Sequence, residues 1–337
     1  MAAAAVRTLV LGSVIALAAG ATTPAANATP PEPPRAVQWV ALGDSYTAGV
    51  IQAAGDLAEP TPDGCARTTD SYPEQIRRHL GPLVELRNAS CGAATIANVH
   101  REQQEVVLGR PMPPDGLDPD GPFAPAPPQI QALSQDTDLV TVGAGGNTLG
   151  FAEILFRCVE LGKRSWVWSS PCAAEFDADL DDRLAAVRAD YDEMLDAIHA
   201  ASPNAEVLTV GYPRVLPDSG WSCFFNNLLQ FGSITPGDLT WARTQVLEPL
   251  NEVLRQVTAE HDDTFIDPYA VGTGHSVCDG TGTQNWVDGI LSTVIPPTFA
   301  LVHPNARGHA ATAALIEDRI LFHTNNTNNT NKARKND

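Results

Sequence analysis

The feature that most constrains this chain is the alternation of short apolar runs with segments of helical period. The runs are Val37 to Leu42, Leu83 to Leu86, Leu139 to Val142, Val207 to Val210 and Thr264 to Ile266. Each is strand length and too short for a buried helix. Asp70-Ser71-Tyr72-Pro73-Glu74 opens a helix that runs to about Leu80, with a proline and an acid in its first turn. Pro127-Pro128-Gln129-Ile130 opens a short one. Leu180, Leu184, Val187, Tyr191, Leu195 and Ile198 recur at spacings of three and four, an apolar stripe along one helix face. Val246, Leu250, Val253 and Val257 mark another, and a last helix starts at Asn305 or Ala306 and runs through Ile320. Strands separated by helices pair in parallel, so the expected fold is α/β: a mainly parallel five-stranded sheet covered on both faces. With no internal repeat, residues 37–323 read as one domain.

The ends read differently. Residues 1–28 have the form of an export signal: Arg7, an apolar stretch from Thr8 to Ala19, and Ala26-Asn27-Ala28 as a small-x-small cleavage site. That stretch is too short to span a bilayer, and no later segment approaches one. Residues 29–36 form a Pro-rich leader, and from Thr324 to residue 337 Asn-Asn-Thr repeats and a basic end read as a disordered tail. Residues 109–128 are dense in proline and glycine and cannot be regular structure. They read either as a rim or lid beside a site or as a surface loop without a role. The net charge of −19 argues against nucleic-acid partners and polybasic membrane docking. An even set of six cysteines in an exported chain implies three disulfides. The sequential scheme, Cys65–Cys91, Cys158–Cys172 and Cys223–Cys278, closes short loops and is preferred. No Cys-x-x-Cys or Cys/His cluster suggests a metal, and no cofactor is expected.

Parallel strands deliver their carboxyl ends to one edge of the sheet, where open α/β folds keep their ligands. Four polar positions converge there: Ser45 in Gly43-Asp44-Ser45, the Cys91-Gly92-Ala93 turn, Asn147 in Gly145-Gly146-Asn147, and His303 in His303-Pro304-Asn305. Acyl transfer needs a hydroxyl nucleophile, a base for its proton, and donors for the developing oxyanion. Ser45, His303, backbone N–H groups and the Asn147 amide supply these. Thr47 breaks the Gly-x-Ser-x-Gly pattern of nucleophile-elbow hydrolases. Thr148 likewise removes the third glycine of a dinucleotide fingerprint at Gly143 to Thr148.

These blocks, in this order, resemble the SGNH (GDSL) hydrolase superfamily, in particular its secreted actinobacterial esterase, lipase and phospholipase branch. Gly43-Asp44-Ser45 is similar to the first block, Asn88-Ala89-Ser90-Cys91-Gly92-Ala93 to the second, Gly145-Gly146-Asn147 to the third and His303-Pro304-Asn305 to the last. The resemblance spans about residues 37–322. It implies a flavodoxin-like three-layer α/β/α architecture with disulfide-stapled loops, and an oxyanion hole from the N–H groups of Ser45 and Ala93 with the Asn147 amide. Three departures stand out. Ala93 occupies the position of the family's second-block glycine, which an alanine can fill with its N–H intact if its φ is negative. Thr148 replaces the aspartate that usually follows the asparagine. Ala300 stands where the family places the acid, three residues before the histidine. The imidazole is then oriented by a backbone carbonyl, most simply that of Ala300, or by an acid from elsewhere such as Asp267.

The resulting expectation is a secreted, monomeric carboxylic ester hydrolase without cofactor, acting on an ester or lipid through an acyl-enzyme. The alternatives are a carbohydrate O-deacetylase and a non-catalytic binding protein on the same fold. Acyl-chain length and the choice among lipase, phospholipase and short-chain esterase stay open. Phe123, Phe151, Trp166, Trp168, Trp221, Phe224, Phe225 and Trp286 either line an acyl channel or pack beneath disulfide-tied loops.

Overall fold

The computed structural model describes residues 35–51, 56–58, 63–106, 123–280 and 284–334. The expected export signal, most of the 29–36 leader and most of the 109–128 stretch lie outside the described residues. The strands are β1 (Val37–Gly43), β2 (Val84–Asn88), β3 (Leu139–Gly143), β4 (Glu206–Val210), β5 (Thr264–Ile266), β6 (Leu291–Val294) and β7 (Pro297–Phe299). The helices are α1 (Ser45–Ala48), α2 (Tyr72–Leu80), α3 (Ile96–His100), α4 (Gly146–Leu149), α5 (Phe151–Gly162) and α6 (Pro171–Phe176). They continue as α7 (Leu180–Ala201), α8 (Pro236–Trp241), α9 (Glu248–Glu260), α10 (Pro268–Val271) and α11 (Ala306–Arg334).

The first five strands form one sheet in the order β2-β1-β3-β4-β5, every pair parallel, which is the flavodoxin-like arrangement. Side chains along β1 divide by the two-residue period of a strand. Val37, Trp39 and Ala41 face a core shared with α2 and α11. Val40 and Leu42 face the larger core built on α5, α7 and α9. The buried Trp39 indole donates to Thr141 Oγ1 across the sheet at 3.0 Å. The three disulfides join Cys65 to Cys91, Cys158 to Cys172 and Cys223 to Cys278.

Two elements differ from the sequence reading. The segment before His303 forms an antiparallel hairpin, β6–β7, whose two strands are too short to register as a periodic pattern. The last helix runs on to Arg334, through the Asn/Thr repeats read as a disordered tail from Thr324. A helix already nucleated by its packed turns adds further residues at little cost, even with modest formers such as Asn and Thr.

On the first turn of α11, His309 is buried against Tyr72, whose N–H donates to His309 Nδ1 at 3.3 Å. Among the described residues its Nε2 meets no partner, and burial pushes its pKa down to about 3. The unfolded chain binds a proton there below about pH 6.5 and the folded chain does not. The stabilising contribution is therefore complete above pH 6.5 and declines as pH falls towards 3. His309→Asn keeps an acceptor for Tyr72 and removes the titration. We expect the parent's unfolding free energy to fall more steeply than the variant's between pH 6 and 4, by roughly 1.4 kcal/mol per pH unit. Urea titrations across that range measure the difference, and parallel slopes would remove His309 as the cause.

Candidate active site

β1 ends at Gly43, whose φ of +145° and close neighbours admit no side chain: a Cβ would stand 2.5 Å from the Gly143 carbonyl. The buried Gln129 side chain clamps this residue, accepting from Gly43 N–H at 2.7 Å and donating to Gly43 O at 2.9 Å. The next residue, Asp44, caps α1 by accepting from the Tyr46 N–H at 2.9 Å. Ser45 thereby becomes the first residue of α1, at the carboxyl edge of the sheet. The second Asp44 oxygen accepts from the Tyr212 hydroxyl at 2.5 Å, and that hydroxyl accepts from the Gly146 N–H at 2.6 Å. One buried chain of hydrogen bonds thus ties the Ser45 loop to the Asn147 loop. Burial raises the Asp44 pKa to about 6 against the lowering effect of its Tyr212 and Tyr46 donors.

His303 arrives from the opposite end of the chain on a tight turn. Leu301 and Val302 both lie in the left-handed region, with φ of +50° and +63°. Such a conformation costs side-chain-bearing residues on the order of 1–3 kcal/mol each. His303 N–H closes the turn on Ala300 O at 3.1 Å, and further hydrogen bonds hold it from outside. Ala300 and Leu301 donate their N–H groups to Ile290 O, Val302 donates to Gly289 O, and His303 O accepts from Asp288 N–H. Val302 O accepts from the Tyr46 hydroxyl at 2.7 Å, and the Tyr46 ring lies 4.9 Å from the imidazole.

The result is a line of three groups. His303 Nδ1 lies 2.8 Å from Ala300 O, and His303 Nε2 lies 2.7 Å from Ser45 Oγ. A carbonyl only accepts, so Nδ1 carries the proton and Nε2 is left to accept from the serine hydroxyl. Burial lowers the His303 pKa, which keeps the ring neutral. Asp267, the other orienting group the sequence leaves open, is engaged elsewhere: it caps α10 by accepting from Ala270 N–H and pairs with Arg255 at 3.0 Å.

The remaining expected residues gather around Ser45. Cys91 donates its N–H to Gly43 O at 3.0 Å, which brings the Cys91–Ala93 turn beside the serine. Among the described residues the amide N–H groups of Ser45 and Ala93 find no acceptor. Asn147 donates one amide hydrogen to Ala94 O at 2.9 Å, leaving the other toward the cleft it lines with Ser45 and His303. The condition the sequence left open at Ala93 is not met, because its φ is +63°, yet its N–H is without an acceptor among the described residues. The turn, stapled through Cys91 to Cys65, imposes the left-handed conformation that a glycine would take without strain. Thr148 has a structural use: its hydroxyl accepts from Ile96 N–H at 2.9 Å and anchors the start of α3.

A cleft opens on both sides of the serine. Its larger lobe encloses about 870 Å³, counting its mouth, between one face of α5 (Ala152, Leu155, Phe156, Val159) and the side chains of Ile234 and Ile290. The smaller lobe encloses about 520 Å³ near Phe151 and Tyr212. Of the aromatic residues singled out in the sequence, Phe151 alone lines this space. Trp166, Trp168, Trp221 and Phe224 are exposed, and Trp286 stacks on His275 at 4.0 Å. Sequence reasoning missed the aliphatic lining, Gln129 and Tyr212. Tyr212 was discoverable, because it follows the carboxyl end of β4 at the sheet edge where ligands bind.

A parallel α/β/α sheet with a serine–imidazole pair at its carboxyl edge, opening on an apolar cleft, defines a class: the protein is a carboxylic ester hydrolase. Residues 41–311 match the GDSL-like Lipase/Acylhydrolase family, and the chain belongs to that family. Lipase 2 of Streptomyces coelicolor is 31% identical over 95% of each chain. An esterase of Streptomyces scabiei is 33% identical over 92% of each. Among solved structures, an extracellular lipase from Streptomyces rimosus shares the fold with a TM-score of 0.58 at 24% identity, covering 84% of this chain and 99% of that one. Phospholipase A1 from Streptomyces albidoflavus NA297 matches with a TM-score of 0.54 at 25% identity and the same coverage.

The exposed methyl of Ala93 makes little packing, so its backbone strain dominates at that position. Ala93→Gly is expected to raise stability by about 1 kcal/mol, net of the glycine's extra chain entropy. Thermal unfolding measures it, with ester turnover staying within a few-fold of the parent. A lowered midpoint would show that the methyl's contacts outweigh the strain.

Proposed function

We propose that the protein is an exported serine esterase of lipase type in which Ser45 is the nucleophile and His303 the base. The observation that carries this reading is the line from Ala300 O through the imidazole to Ser45 Oγ, with contacts of 2.8 and 2.7 Å. His303 Nε2 takes the hydroxyl proton as Ser45 Oγ attacks the ester carbonyl. The free N–H groups of Ser45 and Ala93 and the Asn147 amide receive the developing oxyanion, each such donor being worth about a hundred-fold or more in rate. His303 then protonates the leaving alkoxide, and water, activated by the same imidazole, releases the acid. The Ala300 carbonyl fixes the tautomer without a negative charge, so it stabilises the imidazolium less than a carboxylate does.

The larger lobe suits the acyl chain. From Ala152 to Val159 the lining face of α5 rises roughly 10 Å, the reach of an extended chain of about eight carbons. An acetyl group leaves most of that lobe empty, which disfavours sugar deacetylation. The printed activities of the relatives, lipase, esterase and phospholipase A1, fit an acyl ester substrate. Export with cleavage after about Ala28 is supported by the form of residues 1–28 and by three disulfides. No helix among the described residues is long and apolar enough to cross a membrane. A monomeric working unit fits this reading, in which one chain lines both lobes of the cleft.

A p-nitrophenyl ester series from acetate to palmitate tests this reading. Turnover should peak at medium chain length, and Ser45→Ala should lower it about a thousand-fold or more. A Ser45→Ala protein with parental turnover would overturn the assignment. Asp267→Ala separates the two orienting groups. Its kcat/KM should stay within a few-fold of the parent, with the acid limb of the pH profile still below 6.5, because burial of His303 sets that limb. A folded Asp267→Ala protein that loses activity several hundred-fold would restore a triad.

A further inference from the structure

The hairpin β6–β7 carries no charge and exposes apolar side chains. From Gly289 to Val302 the sequence carries no charged residue, in a chain whose net charge is −19. Its tip points into solvent with apolar side chains: Ile295 is 91% exposed and Val294 53%. Phe299 on the return strand is exposed as well. Beside the base of the hairpin, Leu228 and Leu229 add two more exposed apolar side chains. That loop is fixed to the hairpin through Leu291 N–H donating to Leu228 O and Ile290 N–H to Gln230 O, both at 2.9 Å.

This surface is continuous with the cleft. Ile290, immediately before β6, and Leu301, two residues after β7, both line the larger lobe. The hairpin is therefore mounted on the lip of the space assigned to the acyl chain. It is also held in shape: the Thr293 hydroxyl donates to Pro296 O at 2.6 Å and lies 2.9 Å from the Thr298 hydroxyl. Ala300 and Leu301 N–H groups close its base on Ile290 O. A preordered apolar protrusion gives up little conformational entropy when it is buried.

We propose that β6–β7, with Leu228 and Leu229, docks the protein on the surface of a neutral or zwitterionic lipid aggregate and sets the cleft mouth against it. An exposed apolar patch of this extent marks an interaction surface. An uncharged hairpin partitions into the boundary between headgroups and acyl chains, and the acidic body disfavours anionic lipid. The consequence for turnover rests on the proposed ester hydrolysis in this cleft; the docking does not.

The test separates the two. On the inactive Ser45→Ala background, the full chain is floated with phosphatidylcholine vesicles, alone and with Ile295→Glu or Leu228→Glu. The unsubstituted chain should bind, and each added charge should weaken partitioning about tenfold or more. Phosphatidylglycerol vesicles at low salt should bind it less well than phosphatidylcholine. No binding by the unsubstituted chain, or undiminished binding by both Glu variants, overturns the proposal. Light scattering must show the same mass with and without Ile295→Glu; loss of a dimer would make the patch a self-contact and reject lipid docking. In the active protein, Ile295→Glu should leave hydrolysis of dissolved p-nitrophenyl acetate unchanged and slow that of an emulsified triacylglycerol. Failure of every active protein on both esters would sink the proposed reaction while the vesicle result stood.

Discussion

The turn from Ala300 to His303 is the constraint on which the site depends. Two residues with bulky side chains are held in left-handed conformations, and the compensation is spread over hydrogen bonds from three directions. The hairpin base supplies Ile290 O and Gly289 O, Asp288 supplies its N–H, and Tyr46 supplies its hydroxyl from the serine's own helix. The same turn aims the Ala300 carbonyl at Nδ1. A relaxed backbone there would separate the imidazole from its orienting carbonyl. The strain is thus tied to the geometry that sets the Ala300 carbonyl against the imidazole.

A second set of bonds holds the serine side. Asp44, Tyr212 and Gly146 form one buried chain, and Gln129 pins Gly43 from beneath. Every partner sits at or beyond the carboxyl end of a strand, or on a connection packed against one. A parallel sheet brings such ends together without further design. Loops from residues 43, 91, 146 and 303 are therefore cross-linked by polar contacts in a corner excluded from water, where an unsatisfied group is costly.

Much of this was legible in the amino-acid sequence. The strand runs and the helix stripe from Leu180 to Ile198 appear in the structure, since hydrophobic period and sheet topology are local properties repeated along the chain. Ser45, Asn147 and His303 could be singled out because each stands in a short polar motif, the first two after strand ends and the third just before the last helix. Gln129 and Tyr212 carry no such signal on their own. Their roles arise when residues 86 and 168 positions away fold against them. The cleft lining was not legible for a related reason: aliphatic residues on the inner face of α5 look like ordinary core, whereas the conspicuous tryptophans lie outside. The sign of φ at Ala93 could not be read from the sequence, because backbone conformation there is set by the turn it sits in rather than by the residue's own preference.

That disulfide carries a consequence for where the protein matures. Cys65–Cys91 closes a ring of chain across the corner that holds Ala93, and a reduced chain must restrain the same unfavourable backbone without the crosslink. Thiols stay reduced in the cytoplasm and pair outside it. The restraint on this corner is thereby coupled to the redox state of the surroundings, because the crosslink that holds the left-handed Ala93 turn forms only where thiols are oxidised.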